Sequence, residues 1–273
     1  MDAAQPSLLH HRFDAGMVFR CRDAASPAGT LVYIHGLGES GLGFEGLLGD
    51  PRLARFHHRA PDLPGYGKSP WTRQPLSLDD HADLVARWLI THDLPEPVVL
   101  LGHSMGGVIG TYVCERAPGR VHAFLDVEGN VSLADCNFSR RVAAYDLEHF
   151  RAERLPEILD GLYRDGVADP ALRTYYASVR LSDPGAYHRN SCELVEASEK
   201  EDLARRLAAL GIPVLYVLGD PRGTGEHSRG LLDAAGVPWH GIADAGHWVF
   251  LDQPAAFVQV LLDFVGGLRG AGG

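Results

Sequence analysis

Leu100-Leu101-Gly102-His103-Ser104-Met105-Gly106-Gly107-Val108 joins two kinds of local structure. Before it, Val98 to Leu101 is an apolar run bounded by Pro97 and Gly102, the pattern of a buried parallel strand. After it, Met105 to Cys114 follows a helical pattern. Between them lies Gly102-x-Ser104-x-Gly106, a sharp strand-to-helix turn that lifts a serine hydroxyl above the end of a sheet. In so tight a turn, side chains at Gly102 and Gly106 would collide with neighbouring backbone. The following helix points its free N–H groups and positive dipole end at the serine, which favours negative charge developing there. The five-residue pattern alone would equally suit a glycine-rich turn with an idle serine. The flanking strand and helix favour a nucleophile.

Working outward, Leu31-Val32-Tyr33-Ile34 reads as a buried strand that runs into His35-Gly36-Leu37-Gly38-Glu39-Ser40-Gly41. Gly36, Gly38 and Gly41 match a dinucleotide-binding fingerprint, but Gly43 to Gly49 is a poor helix opening. The loop reads better as the source of a second backbone N–H for an oxyanion hole, with His35 shaping the loop rather than acting as a base. Phe56 to Ala60 is a further strand, leading into Pro61-Asp62-Leu63-Pro64-Gly65-Tyr66-Gly67-Lys68-Ser69. A phosphate-binding loop would need glycine where Asp62 stands. Asp62 is instead expected to bond local backbone.

Leu8 to about Arg22 alternates around Gly16, as in an antiparallel hairpin. Ser77 caps a helix with an acidic first turn, burying Leu84, Val85, Trp88 and Leu89. Val121 to Val127 is another strand, ending in Glu128-Gly129-Asn130. From about Val131 to Leu210 the alternation of strand and helix stops. Helical patterns broken by Pro156, Pro170 and Pro184 take over, with Tyr145, Phe150, Tyr163, Tyr175, Tyr176 and Tyr187 among them. This stretch is expected to form a helical cap whose aromatics mostly fill its own core, while some line a pocket. The alternation resumes with a strand over Ile212 to Leu218, a helix near Ser228 to Ala235 and a strand near Trp239 to Ile242. Then come the loop Asp244-Ala245-Gly246-His247-Trp248 and a last helix opened by Pro254, with a frayed tail expected from Gly266. The expected organisation is an α/β core over 1–130 and 211–273, with a cap over 131–210.

The chain has 273 residues, 45% hydrophobic and 22% charged, with a formal net charge of −10. That suits one sizeable globular domain and argues against nucleic acid as a partner. The N-terminal residues show no basic region followed by an apolar run, and no segment has the apolar length to span a bilayer. Neither a membrane nor a signal peptide is therefore expected. Cys21, Cys114, Cys136 and Cys192 show no paired or zinc-binding spacing, so they read as reduced thiols in a cytoplasm.

His35-Gly36-Leu37-Gly38, Asp62 to Ser69, Gly102-His103-Ser104-Met105-Gly106-Gly107 and Ala245-Gly246-His247, in this order, resemble an α/β-hydrolase over nearly the whole chain outside the cap. The resemblance implies a mostly parallel central sheet flanked by helices, with nucleophile, acid and histidine in that chain order. A serine hydroxyl needs a base to take its proton. Ser104 is the expected nucleophile and His247, after the last strand, the expected base. The N–H groups of Leu37 and Met105 would hold the oxyanion.

The acid has three candidates. The family usually carries it just past the strand that follows the cap, where this chain reads Gly219-Asp220-Pro221-Arg222-Gly223. Arg222 stands about where the acid is often found, and Asp220 is available nearby. The alternative is the end of the preceding strand, where Glu128 resembles the acid of some haloalkane dehalogenases. A carboxylate there also needs a partner to justify its burial, and a histidine ring N–H would be one. Glu128 is preferred to Asp220, and Asp126 ranks third.

Dehalogenases and epoxide hydrolases of this fold carry aspartate at the turn, and Ser104 argues against both. The expected reaction is hydrolysis of a small-molecule carboxylic ester, thioester or lactone through an acyl-enzyme, with no metal and no cofactor. Carbon–carbon bond hydrolysis or lyase chemistry on the same scaffold is the alternative, and a low-turnover ligand-binding receptor is a third reading. The sequence leaves the oligomeric state open.

Overall fold

The computed structural model describes residues 8–270. The expectations for the extreme N-terminus and for the last three residues lie outside it. Eight strands form one sheet: β1 His10–Asp14, β2 Met17–Arg22, β3 Thr30–Ile34, β4 His57–Asp62, β5 Val98–His103, β6 Ala123–Val127, β7 Val214–Pro221 and β8 Trp239–Ala245. Their spatial order is β1-β2-β4-β3-β5-β6-β7-β8. β1 pairs antiparallel with β2, and β2 with β4. Every other pairing is parallel.

Alternation along the central strands divides the core. On β3, Val32 and Ile34 join one apolar layer while Leu31 and Tyr33 join the other. On β5, Val98 and Leu100 face the first layer, Val99 and Leu101 the second. Both sets are buried because helices cover both faces of a parallel sheet. Within the first layer lie α2 Leu78–Thr91 and α3 Met105–Arg116; within the second lie α1 Glu45–Gly49, α11 Val249–Asp252 and α12 Pro254–Gly270. Ser77 caps α2 in a full capping box with Asp80, which satisfies two otherwise orphaned N–H groups.

Two local expectations are corrected. Gly43 to Gly49 does form helix, as a 3-10 turn over Gly41–Phe44 continued by α1. The Ser40 hydroxyl accepts from Leu42 N and so starts the turn that glycine propensity disfavours. Likewise α12 runs through Gly270 rather than fraying from Gly266. Its apolar face, with Phe257, Val258, Leu261 and Val265 buried, anchors the helix to the second layer, and tertiary burial overrides propensity there.

Between β6 and β7 the chain is helical: α4 Ser139–Ala143, α5 Leu147–His149, a π-helical turn Phe150–Arg154, α6 Leu155–Asp165, α7 Pro170–Val179, α8 Pro184–Glu199 and α9 Leu203–Ala208. After β7 comes α10 Glu226–Ala235. The helical segment docks on the loops that leave β3 and β4. Ser178 Oγ and Ser40 Oγ are 3.0 Å apart, Asp183 N donates to Gly65 O at 2.7 Å, and Tyr66 Oη donates to Asn190 Oδ1 at 2.7 Å. Among the described residues no helix is long and apolar enough to cross a membrane.

Candidate active site

The parallel strands deliver their following loops to one edge of the sheet, where open α/β sheets carry their sites. Ser104 follows β5 with φ 54° and ψ −120°, a conformation that ordinary residues avoid. One hydrogen bond and two close backbone approaches hold it there. Ser104 N donates to Val127 O at 3.0 Å. A Cβ on Gly102 would lie 2.2 Å from Gly106 O, and one on Gly106 would lie 2.2 Å from Ile34 O. Both glycines are therefore required by backbone crowding. The Ser104 side chain makes no capping bond to α3, so its hydroxyl is not consumed by the helix it precedes. Met105 is the first residue of α3, and its N–H has no acceptor inside the helix.

His247 lies in the loop after β8. Its Nδ1 is 3.3 Å from Glu128 Oε2. Glu128 follows β6 with φ 51° and its side chain is 4% exposed. The other oxygen, Oε1, accepts from Gly219 N at 2.8 Å and Thr224 N at 3.0 Å. Donors from the β7 end therefore hold the carboxylate and aim its second oxygen at the imidazole. An Nδ1–H donated to Glu128 leaves Nε2 as the basic nitrogen. Ser104 and His247 line the same cavity. Among the described residues no hydrogen bond joins them, as is common before substrate tightens such contacts.

The other two acid candidates are not brought to His247. Asp220 lies on β7 opposite Ala243 and is solvent-exposed. The strand continues through it to Pro221. Asp126 is buried, and its Oδ1 has no hydrogen-bond partner. Burial pushes its carboxyl well above the usual range despite the nearby His103.

A layer beneath these residues was not singled out in the sequence. Glu39, in the loop after β3, accepts from Gly36 N at 3.0 Å and Trp248 Nε1 at 2.8 Å. Its Oε2 also lies 2.9 Å from His103 Nδ1, while His103 Nε2 is 2.9 Å from the His247 carbonyl oxygen. Both ring nitrogens of His103 face acceptors, so both carry protons and the ring is an imidazolium. Burial alone would raise the Glu39 carboxyl, but the charge and hydrogen bond of His103 outweigh it and hold it at about 2. Burial works the opposite way on His103, whose pKa Glu39 raises. This buried ion pair ties the Gly36–Leu37 loop to the backbone and neighbour of His247. The signal was present: a glutamate inside an otherwise small-residue loop, and a histidine adjoining the serine.

The remaining sequence candidates fall into supporting places. His35 is fully buried; its Nε2 accepts from Leu63 N at 3.0 Å, so it braces the loops. Asp62 accepts from Gly41 N and Lys68 N, each at 2.7 Å, and pairs with Arg20. Leu37 lines the cavity with Ser104. Tyr175 and Phe138 are the aromatics of the helical segment that reach it, joined by Trp248 from the His247 loop. Tyr187 and Phe150 are buried in the segment's own core, whereas Tyr163 is exposed. The cavity is narrow and partly open to solvent. Glu39 and Asp135 line it; no Lys or Arg does among the described residues. No group of three or more His, Cys, Asp or Glu could hold a metal ion among those residues, and Cys21, Cys114, Cys136 and Cys192 are free.

A serine at a strained strand–helix turn, facing a loop histidine across the edge of a mostly parallel sheet, defines an α/β enzyme of the hydrolase type. The chain belongs to the alpha/beta hydrolase family, whose model matches residues 31–260. It is 28% identical over 249 residues to a 2-succinyl-6-hydroxy-2,4-cyclohexadiene-1-carboxylate synthase of Yersinia pseudotuberculosis serotype O:3, covering 86% of each chain. Its fold is similar to that of the N-acyl homoserine lactonase AidH complexed with N-butanoyl homoserine (TM-score 0.73, 20% identity, 96% of this chain and 97% of the other). It is also similar to that of a putative aryl esterase from Burkholderia cenocepacia (TM-score 0.72, 22% identity, 96% and 100%).

Proposed function

We propose that the protein is a serine hydrolase of small, uncharged carboxylic esters, with thioesters and lactones as chemical equivalents. The observation that carries this reading is the pairing of Glu128 with His247 beside a serine held at φ 54°. Glu128 orients the imidazole, and its negative charge stabilises the imidazolium that forms. His247 Nε2 takes the Ser104 proton as Oγ attacks the carbonyl carbon. The N–H groups of Leu37 and Met105 receive the oxyanion. Collapse of the tetrahedral intermediate passes the proton from His247 to the leaving alkoxide and leaves an acyl-serine. Water, deprotonated by His247, then releases the acid and restores the serine. In this reading residues 131–210 are the cap, and they set substrate size.

The Yersinia relative, named as a synthase of a cyclohexadiene carboxylate, supports a second reading, lyase chemistry on a substrate that, unlike an uncharged ester, already carries a carboxylate as it binds. The lining counts against it. A carboxylate entering a cavity that already holds Glu39 and Asp135, with no lining Lys or Arg, would be desolvated without a counter-charge. Hydrolysis of p-nitrophenyl esters of increasing acyl length, by wild type beside Ser104→Ala, tests the reading. Turnover that depends on Ser104 is expected, and a folded wild type without it would overturn the assignment.

A further inference from the structure

Among the described residues, two polar atoms of this cavity have no hydrogen-bond partner. They are Asn130 Oδ1 and Ser139 Oγ, in side chains 5% and 2% exposed, and both residues line the space beside Ser104. A buried polar atom left unpaired costs about 1–3 kcal/mol, so such atoms call for an account. The chemistry above uses neither.

The orientation of Asn130 follows from its neighbour. Its Nδ2 is 3.4 Å from Cys136 Sγ. The Cys136 thiol is directed to carbonyl oxygens, those of Ser132 at 4.0 Å and Leu194 at 3.8 Å. The sulfur can then only accept from Asn130, and the amide must present nitrogen to it. The carbonyl oxygen, an acceptor, is left as the free end. Ser139 also lies toward that thiol, a weak partner for a hydroxyl. Asp135 lines the same cavity, and its hydrogen bonds from Val131 N, Ser132 N and Ser228 Oγ all fall on Oδ2. This side of the cavity is rich in acceptors.

We propose that Asn130 and Ser139 form a subsite for an uncharged hydrogen-bond donor, an amide N–H or a hydroxyl, carried by the substrate near its reacting carbonyl. A cationic donor is a poorer match than a neutral one: Asn130 and Ser139 carry no charge, Glu39 is already paired with His103, and burial pushes the Asp135 carboxyl up. The subsite rests on the serine-hydrolase reading for its place beside the reacting carbonyl, but its recognition of a donor is measurable without turnover.

The test compares two ligands that differ in one group. The p-nitrophenyl ester of N-butanoylglycine carries an amide N–H; that of 4-oxoheptanoic acid has a methylene in its place. Wild type is expected to favour the first by roughly tenfold in kcat/KM, and the ratio should fall to about 1 in Asn130→Leu and shrink in Ser139→Ala. Because the ratio is internal to each variant, partial loss of folded protein does not affect it. In parallel, calorimetry measures binding of the uncleaved amides, N-butanoylglycinamide and 4-oxoheptanamide, to Ser104→Ala. Tighter binding of the first, lost in Ser104→Ala/Asn130→Leu, supports the subsite even if no ester is hydrolysed. Equal binding, or no binding of either, overturns it. Ser104-dependent turnover with the same ratio in wild type and Asn130→Leu also overturns the subsite and leaves the hydrolase reading standing.

Discussion

Glu128 and His247 meet at 3.3 Å although 119 positions separate them in the chain. They follow the ends of different strands, and backbone N–H groups of a third strand and its following loop, at Gly219 and Thr224, hold the carboxylate in place. Replacing Glu128 with Gln keeps the shape but removes the charge opposite the imidazolium. A fall in kcat/KM of roughly 10²–10⁴ is expected. Asp220→Asn should stay within about twofold, since surface substitutions away from such features have small effects. Steady-state kinetics of both variants on one ester decides between the two acids, and the reverse pattern would remove Glu128 from the mechanism.

Ser104→Ala removes the group that would carry the acyl chain. Its kcat should drop by about 10⁴ or more, leaving a small residue of catalysis from the oxyanion donors. Mass spectrometry after brief mixing with a slow ester should find an acyl adduct on Ser104 in wild type and none in the variant.

The Glu39–His103 pair sets a pH window for stability. Glu39 titrates at about 2 in the folded protein, below its unfolded value, so its contribution is present at higher pH and is lost as pH falls toward 2. His103 is shifted upward, so its contribution is complete below its unfolded value and is lost as pH rises through the folded one. Stability should therefore fall on both sides of a plateau in mildly acidic solution. Glu39→Gln should flatten both flanks in urea denaturation measured against pH, and should cost about 3–5 kcal/mol on the plateau by leaving His103 unpaired. A variant with wild-type flanks would show that the pair does not govern them.

Gly38 couples the loop after β3 to the helical segment. It sits at φ 70°, and a Cβ there would lie 2.3 Å from the Tyr187 ring. Strain and overpacking act together, so Gly38→Ala should destabilise by about 1–3 kcal/mol and lower kcat by displacing Leu37. Thermal melting and kinetics on the same preparation check this. An unchanged kcat in a destabilised variant would mean the loop absorbs the change.

The acceptor-rich, cation-free cavity predicts discrimination by charge. The p-nitrophenyl hemiester of succinic acid should be hydrolysed at least tenfold less efficiently than the butyrate, since one poorly compensated buried carboxylate costs well over 1.4 kcal/mol. Equal rates would revive the lyase reading.

Much of the site was legible because its residues carry local signals. Glycines at 102 and 106 announce the turn at Ser104, and a histidine between the last strand and last helix stands out by position. Glu128 was legible as a carboxylate at the end of an apolar strand that needed a partner. Asn130, Ser139 and the Glu39–His103 pair were not singled out, because their roles come from contacts between distant segments. In the sequence His103 is one position of a turn motif; its partner Glu39 lies 64 residues earlier. The helices of 131–210 were visible as a departure from alternation, but which aromatic faces the cavity depends on packing angles that periodicity does not encode. Helix 254–270 outlasted the expected fraying because burial of Val265 outweighed the glycines around it.

Gly223 shows how closely the loop after β7 is fitted to the Glu128 carboxylate. A Cβ at this position would come within 2.0 Å of Glu128 Oε1, so any side chain at residue 223 must displace either the carboxylate or the loop whose N–H groups hold it. One glycine thereby links the composition of a loop to the aim of a carboxylate carried by another strand.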